Sequence, residues 1–396
     1  MEFLPDTVNR IAYIDRDGQL STTAPNGSDQ RRLTDDGRFY QFPAWSPDSR
    51  QIAVIGGDRR SAGIVLAGDD ASSGHAVYNG EDGAPIYLYW APDGEEISFI
   101  AAEGDSFGLY FADRNGQRRL LAHGQPFFWS FAPDGRTLLA HMDGSGELGQ
   151  LRLLDRDGPG YTPLGTPGLF QTPAIAASGK WAYAALEPRS GPQLHVRYPH
   201  STVTTTIDHN GVVAFAWSPQ ADMLAFIHPS EQSAHWYGPL QLLDTDSGEI
   251  ALLVNEPVLA FFWAPDGRAL AYLTVARPLD ISRAGDFPAT YQLAQAAGDR
   301  APASTGRRLV LSIGIVEIDD RVPHRIGRFE PQPLFINQFL PFFDQYSRSH
   351  QIWSPDARAL VLPVMSHGQS QIAVVPRNGD RAQIIAEGSM AFWSTR

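Results

Sequence analysis

The sequence predicts an all-β chain folded as a single closed β-propeller, most simply of eight four-stranded blades. Three observations predict it. A W-[SA]-P-D segment recurs along the chain at near-constant spacing, each copy runs on into a strand-like stretch, and the two chain ends supply complementary halves of one repeat.

The good copies are FPAWSPDSRQIAVI around Trp45, LYWAPDGEEISFI around Trp90 and WSFAPDGRTLLAH around Phe131. AFAWSPQADMLAFI around Trp217, FFWAPDGRALAYL around Trp263 and QIWSPDARALVLP around Trp353 continue the series. A degenerate copy, PAIAASGKWAYAAL, lies near Ile175, and a half-copy, MAFWST, places Trp393 near the end of the chain. Successive anchors are 45, 41, 44, 42, 46, 90 and 40 residues apart. All but one interval match the length of a four-stranded propeller blade.

Each residue type has a physical task. Pro fixes φ and the Asp side chain bonds the backbone two residues on, so Pro47–Asp48 and its counterparts set a tight turn. Gly94, Gly135 and Gly267 supply permissive φ. Large and small apolar residues then alternate, as in Ile52-Ala53-Val54, Leu224-Ala225-Phe226 and Leu270-Ala271-Tyr272, which suits a strand buried on both faces. The anchor Trp fills space between blades. Trp45, Trp90, Trp217, Trp263, Trp353 and Trp393, with Asp48, Asp93, Asp134, Asp266 and Asp356, are therefore read as structural repeat positions. A hairpin with Asp/Gly or Asn-Gly chemistry follows in each repeat, as in LRLLDRDGPGYTPL at 151–164.

Closure is read from the ends. Residues 10–34 supply the later strands of a blade with no anchor before them, and the strand at 390–394 is an anchor with nothing after it. Pairing them completes one blade and leaves no open edge. The anchors then count eight blades in one domain spanning 1–396. A misread copy at Ile175 gives seven, and a blade hidden in the long interval gives nine. The long interval is read as an insertion at 277–307 within blade seven, containing a short helix in ATYQLAQAAGD.

The pattern W-[SA]-P-D-G-x-x-[IL]-[AS]-[FY] resembles the propeller repeat of TolB proteins and of the propeller domains of the prolyl oligopeptidase family. The resemblance covers essentially the whole chain. It implies the fold and, by analogy, a periplasmic or extracellular setting. It implies no activity, because one fold hosts many functions.

Composition narrows the function. A net charge of −13 with a pI near 5.2 excludes a nucleic-acid surface, which needs clustered Lys and Arg. Lys180 is the only lysine, and no cysteine is present, so thiolate metal sites and cysteine nucleophiles are absent. No apolar run reaches the roughly 18 residues that span a bilayer, and MEFLPDTVNR lacks the features of a signal peptide. A soluble protein is expected.

Catalytic motifs are missing. The α/β-hydrolase elbow G-x-S-x-G does not occur in a strand–helix context. The eleven histidines form no H-E-x-x-H pair. The DRDG strings at 15–18 and 155–158 resemble half of a calcium loop without its Glu. No catalytic residue, metal or cofactor is expected, and His350 is read as a partly exposed polar residue near the channel mouth.

Binding is expected where the repeat fails. The segment PQPLFINQFLPFFDQYSRSH at 331–350 leads into Trp353 and carries Phe335, Phe339, Phe342, Phe343, Tyr346 and His350. These aromatics either pin the loop or form a rim that recognises a partner. A second aromatic group, Phe42, Tyr87, Tyr89, Phe127, Phe128, Trp129, Phe170, Phe261 and Phe262, stands where inner strands begin; Tyr87, Phe127 and Phe261 are taken as binding candidates. The sequence thus points to a non-catalytic scaffold binding a protein or peptide through its loop-bearing face. Glycan or small-molecule binding in the channel, and a channel-sited lyase or hydrolase, are the alternatives.

Overall fold

The computed structural model describes residues 9–58, 61–69, 74–125, 127–143, 148–169, 172–198, 204–228, 237–276 and 309–396. The insertion expected at 277–307, with its short helix, lies outside the described residues, as does Phe170. The fold is nearly all β and is built from repeating antiparallel units of four strands.

The unit around Trp45 runs Phe39–Trp45, Gln51–Gly57, Ala62–Gly68 and His75–Tyr78, paired in that order. Separate four-stranded sheets begin at Pro85–Trp90, Phe127–Phe131 and Ala174–Ile175. The copy at Ile175 therefore heads a true repeat, although its inner strand is only two residues long. The remaining strands form one continuous 13-stranded sheet. It is continuous because three strands, Ile250–Trp263, Pro323–Pro331 and Gln383–Trp393, leave the outer edge of one unit and pair with the second strand of the next. Gln383–Trp393 pairs with Ile11–Asp15, in the register Ile11↔Trp393 and Ala12↔Phe392, so strands near the two ends of the chain lie in one sheet.

The motif behaves as its chemistry requires. Asp48, Asp93, Asp134, Asp266 and Asp356 each accept, on Oδ1, the backbone N–H two residues on. The glycine position sits at φ 72°, 69° and 68° in Gly94, Gly135 and Gly267, and at 58° in the residues that replace it, Ser49 and Ala357.

The anchor indole has a second task beyond filling space. Trp90 Nε1 donates to the Ala44 carbonyl, one residue before the preceding anchor, at 3.0 Å. Trp217 repeats this to Ala174, Trp263 to Ala216 and Trp353 to Phe262. Trp45 makes the same bond to the Phe392 carbonyl, across 347 residues of sequence. Five units, those headed by Trp45, Trp90, Trp217, Trp263 and Trp353, are thereby stitched to a neighbour by a hydrogen bond that is buried in all but the Trp263 case; an unmade buried bond costs roughly 1–3 kcal/mol. Trp393 is the exception, its Nε1 being buried without a partner.

Charged side chains tie the units at the turn-bearing face. Arg156, nearly buried, reaches Asp93 at 2.6 Å and Glu96 at 2.8 Å in the preceding unit. Lys180 is held by Asp222 and Asp246. The single lysine is thus a buried structural cation. The core follows the strand pattern: inner and second strands are buried on both faces, while outer strands expose alternate residues such as Leu120, Ile250 and Leu252.

Candidate functional site

The 331–350 segment is the one long departure from strand structure among the described residues. Phe335–Phe339 forms a π-helical turn, Leu340–Phe342 a 3₁₀ turn and Phe343–Tyr346 a short α-helix. Phe335, Phe339 and Phe343 recur every fourth residue, so their rings share one helical face. That face is buried. Phe339 lies against Phe335 at 5.1 Å, Tyr346 at 5.3 Å, Phe392 at 5.6 Å and Phe262 at 6.0 Å between ring centroids. Phe343 meets Phe261 and Phe262, and Tyr346 stacks on Phe42 and meets Tyr87 edge-on. Phe342, half-buried, reaches Phe128. The segment therefore packs across the inner strands of several units, against Phe42, Tyr87, Phe128, Phe261, Phe262 and Phe392, as a plug.

Polar side chains fix the plug. Gln345 Nε2 donates to the Trp129 carbonyl at 3.2 Å, and its Oε1 accepts the Trp129 backbone N–H at 3.1 Å. The side chain thus pairs with the channel-facing edge of that inner strand as a neighbouring strand would. Gln345 Nε2 also donates to the Tyr87 hydroxyl. Asp344 accepts the Thr172 N–H at 2.9 Å and the Gln345 N–H at 3.0 Å. At the other end, Gln332 Nε2 donates to the carbonyls of Gln371 and Gly388.

His350 was expected to be partly exposed; it is buried, because the plug covers it. Its Nε2 lies 3.2 Å from the Phe42 carbonyl and must carry the proton there. Its Nδ1 then accepts from Ser349 Oγ at 2.6 Å, and Ser349 lies 2.7 Å from the Tyr87 hydroxyl. Gln345, Tyr87, Ser349 and His350 form one directed chain of hydrogen bonds ending on Phe42, each strengthening the next. A register shift between Gln41 and Ala44 leaves Phe42 at φ 53°, a strained conformation for a bulky residue. The plug, which stacks on its ring and bonds its carbonyl, holds it there.

Burial lowers the His350 pKa to about 3 and the His209 pKa to about 4. Both are therefore neutral in the folded chain at neutral pH, whereas the unfolded chain protonates them below about 6.5. The unfolded state binds more protons between these values, so stability is complete above pH 6.5 and falls as pH drops toward 4. The melting temperature is expected to fall between pH 7 and pH 5, and His350→Gln is expected to show a shallower fall. An equal pH slope in that variant would remove His350 from the account.

Of the sequence-predicted candidates, Phe335, Phe339, Phe343, Tyr346, His350, Tyr87, Phe127 and Phe261 are all buried, and only Phe342 is half-buried. The structure gathers Phe335, Phe339, Phe342, Phe343, Tyr346, Tyr87 and Phe261 around the plug. Phe127 packs beside Trp129 instead. Gln345, Asp344 and Arg348, the polar residues within an otherwise aromatic run, were missed, as was Thr172, which bonds Asp344 and Gln345 from another unit.

On the turn-bearing side of the plug a cavity of about 270 Å³ remains, lined by Tyr89, Trp217, Trp263, Trp353, Asp344 and Arg348 among others. Arg348 donates through Nε to the Asp344 carbonyl at 3.2 Å and through Nη1 to Ser130 Oγ at 2.7 Å. Burial pushes its pKa down and those of Asp344 and Tyr89 up. Among the described residues no three His, Asp or Glu side chains stand close enough to hold a metal ion, and no helix is long and apolar enough to cross a membrane.

No protein-family model and no curated protein matches the sequence. Many solved structures are similar in fold. An oligogalacturonate lyase in complex with manganese shares 12% identity over 93% of this chain and 97% of its own, with a TM-score of 0.56. The β-propeller domain of the Trilobed protease from Pyrococcus furiosus shares 9% over 89% of this chain and 98% of its own, with a TM-score of 0.50. TolB from Acinetobacter baumannii shares 20% over 61% of this chain, with a TM-score of 0.39; the match spans 62% of that TolB, less than two thirds of its length. The chain has a β-propeller fold, like the β-propeller domain of the Trilobed protease.

Proposed function

We propose that the chain is a non-catalytic, eight-bladed propeller, a single domain closed by Gln383–Trp393 on Ile11–Asp15, that binds a protein or peptide through its loop-bearing face. The observation that carries this reading is the plug. It fills the space between inner strands from the side where the longest connections emerge, so a partner arriving there would meet side chains of the plug and the loops. The 277–308 connection leaves Val275 and returns to Leu311 at that same end of the strands. Leu148, Leu169, Leu186 and Phe39 are exposed at that end as well, and exposed apolar groups on a rigid scaffold favour recognition. The absence of a three-ligand metal group among the described residues gives a channel-sited lyase no support. The repeat alone suggests a periplasmic or extracellular setting.

The test is affinity capture from lysate of the native cells, comparing the wild type with a Leu148→Arg/Leu186→Arg double variant and with a 277–307 deletion. A partner is expected to be retained by the wild type and by Val322→Arg, which alters the opposite face, and lost by the other two. Equal capture by all four proteins would overturn the proposed face.

A further inference from the structure

The cavity beneath the plug contains a half-buried cation, Arg348, that makes no ion pair among the described residues. A guanidinium has five N–H donors; Arg348 uses two, on the Asp344 carbonyl and Ser130 Oγ, which leaves three. No carboxylate of the described residues lies within ion-pair distance of it. Asp344, four residues away, has both carboxylate oxygens engaged by the N–H groups of Thr172 and Gln345. The Asp344 carboxylate attracts Arg348 electrostatically but makes no direct ion pair with it, and a charge withdrawn partly from water gains from a partner at contact distance.

The other walls are suited to an aromatic body. Trp217, Phe261, Phe262, Trp263 and Trp353 line the same cavity, and the Tyr89 hydroxyl makes no hydrogen bond of its own among the described residues. Tyr89 and Arg348 are near enough to interact electrostatically. One planar cationic fork and one free O–H match the two oxygens of a carboxylate, which a guanidinium binds bidentately. The volume, about 270 Å³, approaches the lower end of small-ligand pockets, roughly 300 Å³.

We propose that this cavity binds a small aromatic carboxylate, held by the guanidinium of Arg348 and the hydroxyl of Tyr89, with its ring against the tryptophan walls. This site lies across the plug from the loop-bearing face and does not depend on the protein-binding reading. The bound carboxylate supplies the direct ion pair that Arg348 does not make with Asp344.

Phenylacetate, phenylacetamide and phenethylamine are the probes, titrated by calorimetry and thermal shift against the full chain. Phenylacetate is expected to bind and raise the melting temperature by mass action, and the neutral and cationic analogues are expected to do neither. Arg348→Gln is expected to weaken phenylacetate by about 10- to 100-fold, the effect of a lost charge-assisted hydrogen bond. Tyr89→Phe, which keeps the ring contact with Phe131 and therefore the fold, is expected to weaken it by about 5- to 10-fold. The proposal is overturned if phenylacetate at 10 mM (about a hundredfold excess over protein) gives no shift, if phenylacetamide binds as well, or if Tyr89→Phe binds phenylacetate unchanged. The last comparison holds even if Arg348→Gln fails to fold.

Discussion

Replacing Gln345 by leucine is expected to lower the unfolding free energy by about 4 kcal/mol, one of the largest single-residue effects in the molecule. Leucine fills much of the same space, so the loss comes from hydrogen bonds. The Trp129 N–H and carbonyl lose the buried side-chain amide that bonds both. Each stranded buried group costs roughly 1–3 kcal/mol, and the Tyr87 hydroxyl and Thr172 lose a partner as well. In a chain of 396 residues such a loss corresponds to a fall in melting temperature of about 5 °C. Gln338→Leu is the control, because that amide reaches only the Tyr346 hydroxyl, at 3.5 Å; its effect is expected to stay within about 0.5 kcal/mol. Equal effects of the two variants, read from denaturant midpoints, would remove Gln345 from the role given to it.

Phe339→Ala is expected to destabilise by about 3–5 kcal/mol, the range for truncating a fully buried phenylalanine. The ring touches four others, two from within the plug and two from the inner strands ending at Trp263 and Trp393. Its removal opens a void where strands from different units converge, so neighbouring side chains cannot collapse into it without moving the ring of units. Phe342→Ala, on the half-buried side, is expected to lose much less. If both truncations lose the same small amount, the plug is a surface loop and not part of the core.

The repeat was legible in the sequence because the same local physics is written out again in each unit. The Asp at each turn bonds two residues on, and the strand after it alternates large and small side chains; both are short-range facts that spacing alone discloses. Even the degenerate copy at Ile175 was readable, since Gly179 and the following WAYAAL keep the turn and the strand. The indole-to-carbonyl stitching was not legible, because it joins residues 43 to 347 positions apart.

The plug was half legible. Its aromatics stood out, and their fourfold spacing at Phe335, Phe339 and Phe343 carries a helical period that distinguishes it from a surface loop. What fixes the segment lies far away: Gln345 bonds Trp129 across 216 residues, and His350 bonds Phe42 across 308. A polar residue in an aromatic run looks like exposure when its partner is invisible. For that reason His350 was read as partly exposed and Arg348 was passed over, although both are held by groups from other units.

The central claim is that residues 331–350 belong to the core of the propeller and pack across its inner strands from the loop-bearing face. Hydrogen–deuterium exchange on peptides covering 333–350 tests it most directly, since exchange reports how costly local opening is. The amides of Leu340, Gln345, Ser347 and His350 are all bonded within the plug. Protection comparable to that of the inner strand Phe127–Phe131 is the expected result. Exchange complete within seconds, as in an exposed loop, would contradict the account.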